Sequence, residues 1–292
     1  MQKNINGGVI MKIAISTEST ADLTKELIEE NGFKIIAYPI QLGSKNCFDG
    51  EVTTEEIISF VNENKILPKT AAVNDYRFTE YFGELLKEYD AVIHFSLSSE
   101  LSATYNNAVR SAKELKNVYV VDTRSLSTGI ALLALYAKKL VDQGKSAKEI
   151  YELCLKRVPY IQASFELKRL DYLYKGGRCN ALTLFGANLL KIRPHIIVDN
   201  GKMIPGKKYR GNFNHVVKSY CQDVLDKFNN PDLSVGFVTY TTADDEIIET
   251  AKEYLKERGF ENIYVTRAGG TITSHCGEDC LGILYINDGG IN

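Results

Sequence analysis

The chain has 292 residues and a formal net charge of -2, with 44% hydrophobic and 25% charged residues. These proportions are typical of a globular protein and exclude an intrinsically disordered chain. The nearly neutral charge provides no field that would collect nucleic acid or an anionic membrane. The longest purely apolar run, Ile130 to Ala137, is too short to cross a bilayer. The first ten residues lack the apolar core of a signal peptide. We therefore predict a cytoplasmic protein with an N-terminal tail (residues 1–10), no nucleic-acid partner and no stable membrane insertion.

Strands and helices alternate along the first half of the sequence. In chain order, apolar runs and helical periodicities predict strand Met11–Ser16, helix Ala21–Asn31, strand Lys34–Pro39, helices Thr53–Asn64 and Asp75–Glu88, strand Ala91–Phe95, helix Leu101–Leu115, strand Val118–Val121 and helix Ser127–Gln143. Such alternation predicts an α/β domain whose open, mostly parallel sheet is flanked by helices. In these sheets ligands bind beyond the carboxyl ends of the strands.

The regular alternation of strands and helices ends after about Gln162. The second half predicts short strands around two helices: strands Ile196–Val198, Lys202–Pro205, Val235–Thr239, Asn262–Thr266 and Cys280–Ile286, with helices His215–Phe228 and Asp244–Arg258. We predict an α/β domain over residues 11–162 and an α+β domain over residues 163–292. A ligand cleft is expected between the two domains.

A surplus of hydroxyls occupies one strand-to-helix junction. The stretch "SLSSELSATYNNA" (Ser96 to Ala108) places Ser98, Ser99 and Ser102 between a predicted strand and a predicted helix. One serine would be enough to cap the helix. Several hydroxyls beside free backbone N–H groups also form a receptor for an anion. The local pattern alone is compatible with either function.

Familiar catalytic and cofactor motifs are absent from the sequence. Gly144-Lys145-Ser146 lacks the earlier glycine of a Walker loop, and no G-x-G-x-x-G, G-x-S-x-G or H-E-x-x-H motif occurs. His275, Cys276 and Cys280 are three possible metal ligands, whereas a structural zinc site normally needs four. We expect no cofactor, no metal and no catalytic residue. A zinc-dependent regulator using these three side chains stays open as an alternative.

Other polar groups lie on separate predicted loops. Thr70 belongs to a Pro-Lys-Thr-Ala turn, Lys175 to Arg178 form a charged Gly-Gly turn, and His275 ends a glycine- and hydroxyl-rich turn before the last strand. Each alone is typical of a structural or solvated position. Their order along the chain is more informative than any one of them.

That order resembles the DegV family of bacterial fatty-acid-binding proteins, from Met11 to the end of the chain. Seven blocks are similar in sequence and order: Ile15–Leu23, Tyr38–Gly50, Lys69-Thr70, Ser96–Ala108, Tyr172–Arg178, Gly206–Gly211 and Thr273–Gly282. The chain departs from the family pattern at Glu18, where aspartate is usual. It departs again at Ala71-Ala72, which replace Ser-Gln, and at Ala103, which replaces glycine.

The resemblance implies a long-chain fatty acid, palmitate- or oleate-like, in an apolar tunnel between the domains. Its carboxylate would be bound by Thr70, Ser102 and His275, while Ser98 or Ser99 caps the helix. Secondary polar candidates, matched by position, are Ser98, Ser99, Ala71 and Ala103. Charge-assisted hydrogen bonds and a helix N-terminus both favour a carboxylate at such a place.

The resemblance also implies a partner. A separate ATP-dependent fatty acid kinase would phosphorylate the bound carboxylate, and the protein would carry the acyl phosphate onward, with an acyltransferase as a further partner. Arg178 and Arg210 match positions associated with kinase docking and phosphoryl transfer. The protein itself would not be an enzyme. The alternative is an acyl hydrolase or acyltransferase with Ser102 as nucleophile and His275 as base.

Overall fold

The computed structural model describes residues 11–178 and 192–290. The predicted tail at residues 1–10 and Cys179 lie outside these ranges. The first part of the chain contains β1 (Ile13–Glu18), α1 (Lys25–Asn31), β2 (Lys34–Ile36), β3 (Pro39–Leu42), β4 (Lys45–Phe48), α2 (Thr54–Asn64), β5 (Lys69–Thr70), α3 (Asp75–Glu88), β6 (Ala91–Ser96), α4 (Thr104–Lys113), β7 (Val118–Asp122), α5 (Thr128–Asp142) and α6 (Ala147–Arg157).

Four of these strands form a parallel sheet in the order β2-β1-β6-β7. Every residue of β1 and β6 is buried, and Ile15 is paired in register with Ile93. Strands buried on both faces read as continuous apolar runs, which is why the sequence predicted them well. Their carboxyl ends lie together, so the loops that follow β1 and β6 meet at one edge of the sheet.

A small antiparallel sheet in the order β4-β3-β5 lies apart from the parallel one. β5 has only two residues, Lys69 and Thr70, and Thr70 is paired with Ile40 of β3. The sequence did not predict β4 or β5 because neither is long enough to show a periodicity. This pairing fixes the backbone of Thr70.

The second part of the chain contains β8 (Ile161–Glu166), α7 (Asp171–Lys175), β9 (Arg193–Asp199), β10 (Lys202–Tyr209), α8 (Phe213–Lys227), β11 (Val235–Tyr240), α9 (Asp245–Arg258), β12 (Asn262–Arg267), α10 (Gly270–Cys276) and β13 (Leu281–Ile286). Its sheet has the order β10-β9-β8-β13-β11-β12. Only β11 and β12 are parallel among its pairs; the others are antiparallel. The predicted combination of a parallel α/β sheet with a C-terminal α+β unit is confirmed.

Helix α5 joins the two sheets. Nine of its residues are buried, and it contacts β1 and β6 of the first sheet as well as β8, β11 and β13 of the second. The first seven residues of α5 are all buried, and a helical segment covered on all sides must pack against neighbours on all sides. The main apolar core therefore runs without a break from Ile15 through Leu133 to Leu284.

Some predicted elements differ from the observed ones. The helix predicted at Ala21–Asn31 begins at Lys25, and the strand predicted at Lys34–Pro39 ends at Ile36, with β3 beginning at Pro39. β8 begins at Ile161 and is paired with β13 and β9, so the predicted boundary at residue 162 falls inside a strand of the second sheet. Helix α4 begins at Thr104 rather than at Leu101. The predicted turn before the last strand is helix α10, which carries His275.

Among the described residues, no helix has both the length and the apolar character needed to cross a bilayer.

Candidate functional site

A pocket lies where the loop after β6 faces α10 of the second part of the chain. It encloses about 510 Å³ of empty space, part of it open to solvent. Its polar lining consists of Tyr38, Thr70, Ser102, Arg178, Thr271 and His275. Its apolar lining includes Leu97, Leu101, Leu126, Met203 and Ile272.

A second, more apolar pocket adjoins the first. It contains about 330 Å³ of empty space, part of it open to solvent, and is lined by residues of the second sheet, including Phe165 and Leu284. Leu126, Ile272 and Cys276 line both pockets. The two spaces together provide a polar end and an apolar extension between the sheets.

Thr70 and His275 meet at the polar end, although 205 positions separate them in the chain. Thr70 Oγ1 and His275 Nε2 share a hydrogen bond of 2.8 Å. Burial, and then the positive charge of Arg178, lower the pKa of His275 from 6.5 to about 4. The imidazole is therefore neutral at neutral pH and carries a proton on one nitrogen only.

Gly176 and Arg178 form the wall beside His275. A Cβ at position 176 would lie 2.5 Å from His275 Nδ1, so only glycine allows the ring this approach. Nδ1 is buried and has no hydrogen-bond partner. Arg178 donates from Nη1 to the carbonyl of Gly176 at 2.6 Å, which holds its cationic group at the pocket. The Gly-Gly turn noted in the sequence thus has a specific packing function.

Ser102 lies at the start of α4 and is surrounded by donors. Its Oγ accepts hydrogen bonds from the Thr104 N–H at 3.2 Å and from the Tyr38 hydroxyl at 3.3 Å. It shares a further hydrogen bond of 2.9 Å with Thr104 Oγ1. Ser102 itself therefore satisfies a backbone donor at the helix start.

Ser98 and Ser99 do not cap α4, contrary to prediction. Ser98 is buried and donates to the carbonyl of Gly201 at 2.8 Å, while Ser99 Oγ accepts from Arg124 at 3.1 Å. Neither is among the pocket-lining residues.

The remaining predicted site residues are divided by position. Ala71 lines the pocket, whereas Ala103 is exposed at the start of α4 and outside the lining. Arg210 is exposed after β10 and is likewise outside the lining, although Arg178 is part of it. The ligand-binding roles of all these residues stay predictions.

Two alternatives receive no support from the geometry. Within the described residues no group of three or more His, Cys, Asp or Glu side chains could hold a metal ion, so the zinc hypothesis for His275, Cys276 and Cys280 gains no support here. His275 Nε2 is bonded to Thr70 rather than to Ser102. A base with a pKa near 4 is also poorly matched to nucleophile activation at neutral pH.

Two aspartates fix α10 to the first part of the chain. Asp49 accepts hydrogen bonds from the N–H groups of Gly270 at 2.7 Å and Thr271 at 3.1 Å. Asp22 accepts from the Gly269 N–H at 2.8 Å and from Ser127 Oγ at 2.5 Å. The position of His275 therefore depends on residues more than 200 positions away. Sequence analysis gave neither aspartate a role, although each lies in one of the seven similar blocks, because their hydrogen-bond partners are distant in the chain.

Comparison with known proteins identifies the family. The profile described as "Uncharacterised protein, DegV family" matches residues 12–288. The chain belongs to the DegV family. A DegV relative from Thermotoga maritima, named a fatty acid-binding protein, is 32% identical over 286 residues, covering 93% of this chain and 96% of its own.

Solved DegV structures have the same fold. A Thermus thermophilus protein, described as a fatty-acid-binding DegV family protein, superposes with a TM-score of 0.86 at 25% identity and covers 95% of this chain and 100% of its own. A DegV lipid-binding protein from Thermotoga maritima gives a TM-score of 0.80 at 30% identity, covering 94% and 99%. The predicted family and fold are confirmed.

Proposed function

We propose that this DegV protein binds a long-chain fatty acid, with the carboxylate at Thr70 and Ser102 and the acyl chain in the apolar extension between the sheets. The single observation that carries the proposal is the pocket itself. Its polar lining contains four hydroxyls, an imidazole and a cation, and its walls are otherwise largely apolar. Relatives of similar length are named for fatty acid binding, which supports this ligand class.

The polar end suits a carboxylate. When His275 carries its proton on Nε2, the ring donates to Thr70 Oγ1 and leaves the threonine hydrogen available to the ligand. Ser102 accepts from two donors, so the hydrogen it shares with Thr104 Oγ1 at 2.9 Å is its own, and it can turn this hydrogen to the ligand. Arg178 adds a positive charge that favours an anion. Charge-assisted hydrogen bonds of this kind are stronger than those between neutral groups.

The apolar extension suits an acyl chain. Each buried methylene contributes about 0.8 kcal/mol to binding. A chain of palmitate or oleate length has enough methylene groups to offset the entropic cost of ordering the bound ligand. Leu126, Ile272 and Cys276 would contact the chain where the two pockets adjoin.

We further propose that the bound carboxylate is presented to a separate ATP-dependent fatty acid kinase and that the acyl phosphate is carried onward to an acyltransferase. Arg178, at the pocket, and Arg210, exposed after β10, are the proposed docking or phosphoryl-transfer residues. The Gly144-Lys145-Ser146 turn is not a phosphate loop, because Ser146 caps α6 in a box with Glu149. In this proposal the nucleotide is bound by the partner. The protein would then act as a carrier without catalysis of its own.

The experiment starts with mass spectrometry of the denatured, purified protein, followed by titration of the delipidated protein with palmitate or oleate. We expect a co-purified acyl chain and saturable binding. In the double variant Ser102→Ala, His275→Ala, palmitate should bind on the order of tenfold more weakly or worse, because the carboxylate loses directed donors. Formation of palmitoyl phosphate by an added fatty acid kinase and ATP should stop.

A matched control carries the same two substitutions away from the pocket. Ser219 and His215 are neighbours on α8, where Ser219 Oγ donates to the His215 carbonyl. Ser219→Ala, His215→Ala should bind palmitate as the parent does. Absence of any acyl chain together with no binding of added fatty acid would refute the proposed ligand, whereas undiminished phosphorylation in the Ser102, His275 variant would refute the head-group assignment.

A further inference from the structure

We infer that Tyr38 is a positioning residue that makes Ser102 a hydrogen-bond donor to the acid group of the ligand and thereby selects acids over neutral lipids. This inference rests on the proposed function. It starts from a residue that the sequence did not single out and that lines the polar end of the pocket.

Tyr38 is held rigidly. It is only 2% exposed, its N–H donates to Ser19 Oγ at 3.1 Å, and its carbonyl accepts from the Asp49 N–H at 2.8 Å. A side chain with so little freedom loses little entropy when a ligand arrives. Its hydroxyl therefore occupies one place before and after binding.

The Tyr38 hydroxyl stays protonated. Burial, followed by the negative charge of the neighbouring Glu18, raises the pKa of Tyr38 well above 10. The phenol is thus a neutral group with a hydrogen to donate at any physiological pH.

The nearby carboxylate of Glu18 does not need that hydrogen. Glu18 is fully buried, and its oxygens already accept from Ser96 Oγ, from the Leu97 N–H at 3.1 Å and from Thr20 Oγ1 at 3.1 Å. The Tyr38 hydrogen is therefore directed to Ser102 Oγ at 3.3 Å.

The consequence concerns the single hydrogen of Ser102. Its oxygen accepts from Tyr38 and from the Thr104 N–H, and Thr104 Oγ1 in turn accepts from the Val73 N–H at 3.2 Å. With both lone pairs of Ser102 engaged, its 2.9 Å hydrogen bond with Thr104 Oγ1 is one that Ser102 donates. Because Thr104 Oγ1 also accepts from the Val73 N–H, Ser102 can turn this hydrogen to an acceptor in the pocket. A carboxylate is the acceptor that gains most from such a donor, and the arrangement matches that of His275 and Thr70.

The test compares palmitate with 1-hexadecanol, each displacing a fluorescent fatty acid from the delipidated protein. Tyr38→Phe should weaken the binding of palmitate about three- to tenfold and the binding of hexadecanol less than about twofold. Only the anion depends strongly on the oriented donor. In a Ser102→Ala background, Tyr38→Phe should not weaken the binding of palmitate any further. Tyr81→Phe is the matched control, since its hydroxyl shares a 2.9 Å hydrogen bond with Ser16 outside the pocket.

The outcomes separate the two proposals. Suppose that the parent protein binds palmitate. If Tyr38→Phe then weakens the binding of palmitate and of hexadecanol equally, or changes the binding of neither, the inference is overturned while the proposed function stands. Additive effects of Tyr38→Phe and Ser102→Ala would overturn it in the same way. If the parent protein binds no palmitate, both proposals fail together.

Discussion

His275 shows how burial decides the chemistry of a single side chain. A cationic imidazole beside Arg178 would be repelled and desolvated, and the pKa of His275 falls accordingly from 6.5 to about 4. The ring is therefore a neutral partner for Thr70 rather than a counter-ion for the ligand. In this account Arg178 supplies the positive charge and Thr70 and Ser102 supply the directed hydrogens.

The lowered pKa predicts how stability depends on pH. Between pH 6.5 and 4 the unfolded chain binds a proton at His275 that the folded chain does not, so this residue decreases stability as the pH falls through that window, by at most about 1.4 kcal/mol per pH unit. His275→Gln should lose less stability than the parent between pH 7 and 5 in urea unfolding. His195, whose pKa is also lowered to about 4, contributes equally to both proteins.

The exposed His215 on α8 provides the control for this measurement. His215→Gln should follow the pH profile of the parent protein. If His275→Gln lost as much stability as the parent on acidification, the neutral state assigned to His275 would be wrong.

At the residue scale, the sequence predicted which side chains line the pocket better than it predicted their hydrogen-bond partners. Thr70, Ser102 and His275 came from the family resemblance, and the structure brings all three to one pocket. The capping role of Ser98 and Ser99 was wrong because α4 begins only at Thr104. Ser98 Oγ instead accepts from the Glu100 N–H and donates to the carbonyl of Gly201, 103 positions away. Local patterns contain no information on a partner at that distance.

At the scale of elements, α10 depends on tertiary contacts for its existence. Its sequence, Gly-Thr-Ile-Thr-Ser-His-Cys, is poor in helix formers, and seven residues are too few for a stable isolated helix. The N–H groups at its start are satisfied by Asp49 and Asp22 of the first part of the chain. This is why the sequence predicted a turn there, whereas α3, with an apolar face and its own cap at Asn74, was predicted at its observed bounds.

Asp49→Asn tests this anchoring. An amide would place an NH₂ group against one of the two backbone N–H donors of α10, so we expect a loss of about 1–3 kcal/mol in the free energy of unfolding. Urea unfolding followed by circular dichroism measures it.

Asp244→Asn is the matched control, because Asp244 begins α9 without a side-chain capping bond. It should change stability by no more than about 0.5 kcal/mol. Equal effects of the two substitutions would mean that Asp49 has no special part in holding α10.

At the scale of the molecule, the pocket exists because two sheets share one core. Helix α5 packs between them, and Arg157 at the end of α6 is tied to Asp232 at 2.6 Å and to Asp288 at 2.7 Å. These buried ion pairs fix the second part of the chain against the first. Composition and periodicity predicted the two kinds of sheet, but the space between them depends on side chains that meet only in the folded chain.

The most direct test is a crystal structure of the delipidated protein soaked or co-crystallised with palmitate. The account predicts density for the acyl chain along Leu126, Ile272 and Cys276, with carboxylate oxygens within about 2.6–3.2 Å of Thr70 Oγ1 and Ser102 Oγ. Palmitate bound elsewhere, or with its carboxylate turned away from both hydroxyls, would contradict it.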